Sequence, residues 1–258
     1  MNGSEDNEEI AFSGGLIAHQ TVRVGDTIRR PAGAWTPAVH ALLSHLAAKN
    51  FPAPRPLGID DKGREILSFI DGQASTWPWP QILRSPAGMA KVGAMLRRYH
   101  DCVADFSGPE VWQKFSRPIA PGEIICHGDF GAQNLIWRHD EIVGVIDWEF
   151  AYPALAIEDV AFAAWMMVPL RPDDELPNLG FGAPPDRRER LAALLRGYGR
   201  FEAGAVIETA CALQQRDYHD IETLGGQGIE PWKTYREAGL AERTMRDQAW
   251  LKAWPPLA

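Results

Sequence analysis

Cys126-His127-Gly128-Asp129-Phe130-Gly131-Ala132-Gln133-Asn134-Leu135-Ile136-Trp137, followed by Gly144-Val145-Ile146-Asp147-Trp148-Glu149, is the stretch on which the reading of this 258-residue chain turns. Residues 135–137 and 142–146 are short apolar runs separated by Arg138-His139-Asp140-Glu141, the pattern of a β-hairpin with a polar turn. A hairpin that starts just after Asn134 and ends just before Asp147 brings those two side chains together at one end. The Asp129 loop lies beside the same end, so three oxygen-bearing side chains converge there. Such a set suits phosphoryl transfer, which needs a carboxylate for the acceptor hydroxyl and hard oxygens for Mg²⁺ on nucleotide phosphates.

Composition sets the outer bounds. The length suffices for one large domain or two lobes with a core that needs no staples. Apolar content of 45% and charged content of 23% are ordinary for a globular protein. A net charge of −8 argues against nucleic acid as a partner. Cys102, Cys126 and Cys211 are widely spaced, with no Cys-x-x-Cys, which points to a reducing compartment without disulfides or zinc. Cys126 reads as the core residue ending an apolar strand. The first ten residues are acidic and polar, without the apolar segment of a signal peptide, and no run reaches the ~20 residues of a membrane span. A cytoplasmic protein without a membrane partner is expected.

The paired motifs resemble those of the aminoglycoside phosphotransferase and choline kinase family, relatives of the protein kinases. The shared pattern is His-Gly-Asp, four residues, Asn, and then Ile-Asp-x-Glu; Asp159-Val160-Ala161 is similar to the Asp-Leu-Ala that follows it. The resemblance implies an α+β, bilobal protein-kinase-like fold, with a small antiparallel β lobe and a larger, mainly helical one. It implies Mg²⁺ and ATP or GTP as cofactors, and a small-molecule partner that offers a hydroxyl. By it, Asp129 is the catalytic base, His127 braces its loop, and Asn134 and Asp147 are metal ligands. Glu149 either reaches the metal through water or pins the loop, and Asp159 is a brace.

Three segments follow from the pattern: a frayed tail over 1–11, a small nucleotide-side lobe over 12–72, and a large lobe over 73–258 containing the catalytic hairpin at 124–149. Ser13-Gly14-Gly15 stands where a phosphate loop would be, or is a plain turn. Residues 21–30 form a hairpin around Gly25-Asp26. In the resembled family its second strand carries a phosphate-gripping lysine; here Arg29 and Arg30 occupy the place. Neighbours on a strand point to opposite faces, and Arg30 shares a face with Ile28. Arg30 is therefore the phosphate-facing candidate, the alternative being two solvated arginines. The helix after Thr36-Pro37 lacks any Asp or Glu to pair with that cation, and His40 is its nearest inward polar residue. A second hairpin, residues 57–59 and 64–70, leads to the hinge, where the main chain at Ser68, Phe69 and Ile70 is expected to read the purine.

Helical periodicity dominates after Gly72: residues 87–105, 158–167, 187–200, 202–224 and 234–254, with a proline-rich loop over 169–185. Asp217 and Asp220 share a helical face, either an acidic acceptor patch or a solvated surface. Two functions stay open. The first is a small-molecule kinase moving a γ-phosphate to a hydroxyl. The second is a catalytically degenerate, kinase-like protein acting by binding or sequestration, since Val24-Gly25-Asp26-Thr27 and Trp35-Thr36-Pro37-Ala38-Val39-His40 resemble the trifolitoxin-immunity-like members.

Overall fold

The hairpin at Gly25 seeds the small lobe. Residues 8–11 and 21–254 are described by a computed structural model; Ser13-Gly14-Gly15 lies outside them. Five antiparallel strands form one sheet in the order β1 (Ile10–Ala11), β2 (Val22–Val24), β3 (Thr27–Pro31), β5 (Arg64–Ser68), β4 (Pro56–Ile59). Ile10 and Ala11, assigned above to the frayed tail, pair with Arg23 and Val22 and make the edge strand. Helix α1 (Thr36–Ala48) buries Val39, Leu42, Leu43 and Leu46, the i, i+3, i+4, i+7 stripe that its sequence encodes.

The large lobe is built around α2 (Pro86–Val103), whose N-cap Ser85 accepts from the Gly88 amide and whose face of Val92, Leu96 and Tyr99 is fully buried. Against it lie the short sheet of β7 (Ile124–Cys126) and β10 (Tyr152–Ala154) and the three-stranded sheet β6 (Gln73–Ala74), β8 (Leu135–Arg138), β9 (Glu141–Val145). Helices α3 (Ala156–Met167), α4 (Arg187–Tyr198) and α5 (Ala203–Gly226) complete the core. Gly199, at φ 78°, closes α4 in the left-handed conformation.

One helix was expected over 234–254; there are two, α6 (Trp232–Glu237) and α7 (Leu240–Ala253). Gly239 separates them at φ 73°, a backbone state that glycine adopts without the Cβ penalty. Trp250 and Trp254 stack on α7 at 6.2 Å, with the guanidinium of Arg187 4.7 Å from the Trp250 ring. Trp79 is buried edge-on against Phe181, whereas Trp77 is exposed. Cys126 is fully buried and burial raises its thiol pKa, so it is core. The fold is the bilobal α+β arrangement expected of a kinase-like chain. Among the described residues no helix is long and apolar enough to cross a membrane.

Candidate active site

The β8–β9 hairpin pairs Leu135 with Val145, and the Ile146 amide donates to the Asn134 carbonyl at 2.9 Å. The backbone thus carries Asn134 and Asp147 to one end of the hairpin. Asp147 itself sits at φ 66°, a left-handed state that is uncommon for a residue with a Cβ. That conformation turns the chain out of β9.

The Asp129 loop is held by four contacts. Asp159, buried on α3, accepts from the His127 amide at 2.7 Å and the Gly128 amide at 3.0 Å, and from His100 Nε2 at 3.1 Å. Burial alone would raise the Asp159 pKa, but the His100 bond and the neighbouring donors hold it below the usual carboxylate value. His127 donates from Nε2 to the Ile146 carbonyl at 3.0 Å, while its Nδ1 accepts from the Asp129 amide at 3.2 Å. Those two partners select one neutral tautomer, and burial lowers the imidazole pKa in the same sense. Gly128 permits the turn: its φ is 78°, and a Cβ there would meet the Phe150 carbonyl at 2.1 Å. Behind the loop the Trp148 ring packs 4.4 Å from His127 and 4.9 Å from Tyr99, and its indole donates to the Val145 carbonyl.

Asn134 Nδ2 donates to both the carbonyl and Oδ2 of Asp129, each at 2.8 Å. Gln133 Nε2 approaches the same carboxylate at 3.3 and 3.4 Å. Burial and the nearby charge of Asp147 push the Asp129 pKa up to about 8, against the opposing pull of those amides. Glu149 is raised to about 7 by burial and then Asp147. Asp147 and the Asn134 oxygen left by its committed nitrogen are the donor types that a hard divalent cation takes alongside phosphates and waters, although among the described residues no three acidic, histidine or cysteine side chains form a cation cluster. Asp147 is not idle, however: its Oδ1 lies 2.5 Å from Arg30 Nη1.

Arg29 and Arg30 diverge as strand geometry requires. Arg29 meets Asp60 at 3.4 Å on the outer face and has no place in the cleft. Arg30 points inward, to Asp147 and to Glu149 at 3.9 Å. The missing acid is present after all, on a different element. Glu65 of β5 stands directly across from Arg30, accepts its Nε at 2.5 Å, and accepts from His40 Nε2 of α1 at 2.9 Å. Burial acts against Glu65, yet the His40 bond and the Arg30 charge hold its pKa low. Only the strand register makes this pair visible; the residue type, a lone acid before the apolar Ile66-Leu67, was the available signal.

Three other expectations change. The amides of Ser68 and Phe69 donate to the Arg55 and Asp26 carbonyls and are not free for a purine, while the Ile70 side chain packs over Gly144 of the hairpin. Asp220 is paired with Lys114 at 2.6 Å and so is neither an open acidic patch nor a solvated face. Asp217 is drawn inward, accepting from Thr244 at 3.4 Å, with burial raising its pKa. Sequence reasoning missed Tyr235 of α6 altogether. It packs against the cluster of Ile221, Trp232 and Ala241, and its hydroxyl pKa is raised by burial and then by the charges of Asp129, Glu149, Asp147 and Asp217.

Comparison with known proteins accords with this geometry. A profile described as the phosphotransferase enzyme family matches residues 109–206, the span that holds the loop and the hairpin. The trifolitoxin immunity protein of Rhizobium leguminosarum bv. trifolii is 38% identical over 212 residues, 78% of this chain and 79% of that protein. The chain belongs to the phosphotransferase enzyme family. Among other relatives of this family member, an aminoglycoside 3'-phosphotransferase of Escherichia coli is 27% identical and shares 70% of this chain and 71% of its own. The fold is that of a choline/ethanolamine kinase family protein from Mesorhizobium loti, at a TM-score of 0.59 and 16% identity over 97% of this chain and 94% of that one.

Proposed function

We propose that this family member is a small-molecule kinase that moves the γ-phosphate of ATP or GTP onto a hydroxyl of a small, cationic acceptor. The observation that carries the reading is the Asp129–Asn134 couple, two bonds of 2.8 Å on a loop locked by His127 and Asp159, beside Asp147. Asp129 would accept the hydroxyl proton, and the amides of Asn134 and Gln133 orient its carboxylate for that role. Asn134 and Asp147 would hold Mg²⁺, with Glu149 in support; the ion's contribution is to neutralise charge on the phosphates. Arg30 would face the phosphates. The test is transfer of label from γ-labelled ATP or GTP to a panel of amino sugars and amino alcohols.

A pH signature accompanies metal binding. Asp129 and Glu149, with pKa values of about 8 and 7, hold protons more tightly folded than unfolded. Their contribution to metal-free stability is full below the unfolded carboxylate pKa and is lost as pH rises through 7–8. A divalent cation held by Asn134 and Asp147 would reverse this, because its nearby charge favours their ionised forms. The gain in Tm from Mg²⁺-nucleotide should therefore widen from pH 7 to 8.5, and Asp129→Asn should flatten that trend. A gain independent of pH counts against a cation bound close to these two carboxylates.

The acceptor side is assigned to Asp217 of α5, a half-buried acid that accepts from Thr244. Neutralising Asp217 by Asn should raise KM for a cationic acceptor roughly fivefold, about 1 kcal/mol of lost charge pairing, and less at high salt. Steady-state kinetics at two ionic strengths checks this; an unchanged KM removes Asp217 from the acceptor site.

A second reading has its own support. Arg30 resting on Asp147, and a 38% identical relative named for immunity, favour a degenerate protein that binds or sequesters rather than phosphorylates. Absence of label transfer, with binding of an acceptor intact, would select it.

A further inference from the structure

We infer that Arg30 is an interlobe latch, positioned by Glu65 and His40, which occupies Asp147 as a resident cation until a metal-bound nucleotide takes that carboxylate. The inference rests on the cleft reading given above for Asp147. Arg30 lies on β3 of the small lobe and Asp147 at the end of β9 in the large one, 117 residues apart. Its side chain is only 13% exposed, and three acids surround it: Glu65 at 2.5 Å, Asp147 at 2.5 Å and Glu149 at 3.9 Å.

The fork geometry divides the work. Glu65 takes the Nε edge, so the Nη1 edge is turned toward the hairpin. Guanidinium stays charged at any working pH and is weakly hydrated, which suits it to a buried ion pair. Glu65 is in turn held by His40 through its other oxygen, so a cleft contact is tied to the position of α1. An ionised carboxylate only accepts, so His40 Nε2 is the donor in that bond. A lysine presents its three donors from one nitrogen, so it lacks the rigid fork that sets two acids on separate edges. The relocated acid and the arginine thus belong together: the acid on β5 aims the fork, and the fork closes the lobes.

A divalent cation and Arg30 compete for Asp147, so the latch has a readout without turnover. Nucleotide-free Mn²⁺ binding, followed by electron paramagnetic resonance, is measured for wild type, Arg30→Met and Glu65→Gln. Arg30→Met removes the competitor and should tighten Mn²⁺ binding about tenfold, the scale of coupling between contacting charges. Glu65→Gln keeps an oxygen to accept from Nε, so the fork stays aimed, and removes one of the acids that share its charge; the stronger hold on Asp147 should weaken binding about threefold by the same coupling. Opposite signs support the latch. Changes in the same direction, no change, or no binding in either wild type or Arg30→Met overturn it. Arg30→Gln repeats the measurement if methionine is not tolerated. Amide exchange at 146–149 should also accelerate in the arginine variants, and unaltered exchange there overturns the interlobe part. Failure of label transfer would sink the kinase reading and leave these outcomes standing.

Discussion

Asp129→Asn is expected to slow phosphoryl transfer by about 10²–10⁴-fold, the usual contribution of a general base. The variant keeps the shape of the loop. Asn134 Nδ2 still finds the Asp129 carbonyl, and a side-chain amide oxygen at position 129 still accepts from Asn134. What disappears is the charge that takes the proton. Stability should move the other way. Asp129 carries a pKa of about 8, so its ionised form is disfavoured in the fold. A neutral side chain should match or exceed the wild-type Tm at pH 8.5 when no metal is present. A variant with full turnover on an acceptor that wild type phosphorylates would remove Asp129 from the chemistry. A large drop in Tm would mean that the residue holds the loop rather than serving the reaction.

Asp159→Ala should cost about 3–5 kcal/mol, the range for stripping one partner from a buried charged network. For a chain of this size that is a fall of roughly 10 °C in Tm. The reason is local. His127 and Gly128 amides and His100 Nε2 all converge on this one carboxylate, and removing it strands three donors away from water. Asp159→Asn, which retains one acceptor oxygen, should lose less than half as much. Because the folded pKa of Asp159 lies below its ordinary value, its stabilisation is present above that ordinary value. It is lost as pH falls through the folded pKa, so the penalty of the alanine variant should shrink in acid. Thermal melts at neutral and acid pH check both points, and a melt unchanged by Asp159→Ala would contradict the brace.

The catalytic hairpin was legible in the chain because its signals are local. Alternating apolar runs and a polar turn specify two strands whatever surrounds them, and strand period alone carries Asn134 and Asp147 to the same end. The opposite directions of Arg29 and Arg30 follow from the same two-residue period. Such features depend on neighbours within a few residues.

Tertiary structure decided the rest. Glu65 replaces the acid missing from α1 because the β3–β5 register sets it opposite Arg30, 35 residues away, and no spacing rule encodes that meeting. The hinge amides of Ser68 and Phe69 were open to a ligand on the chain, yet carbonyls of Arg55 and Asp26 claim them once the sheet forms. Asp217 and Asp220 share a helical face by sequence. Lys114, from a distant loop, neutralises one, while Thr244 of α7 bonds the other. The local pattern thus determined where oxygen atoms and cations lie along each element. Which of them meet, and which remain open to a substrate, was set by long-range packing, because a charge's partner is whatever the folded chain brings within a few ångströms.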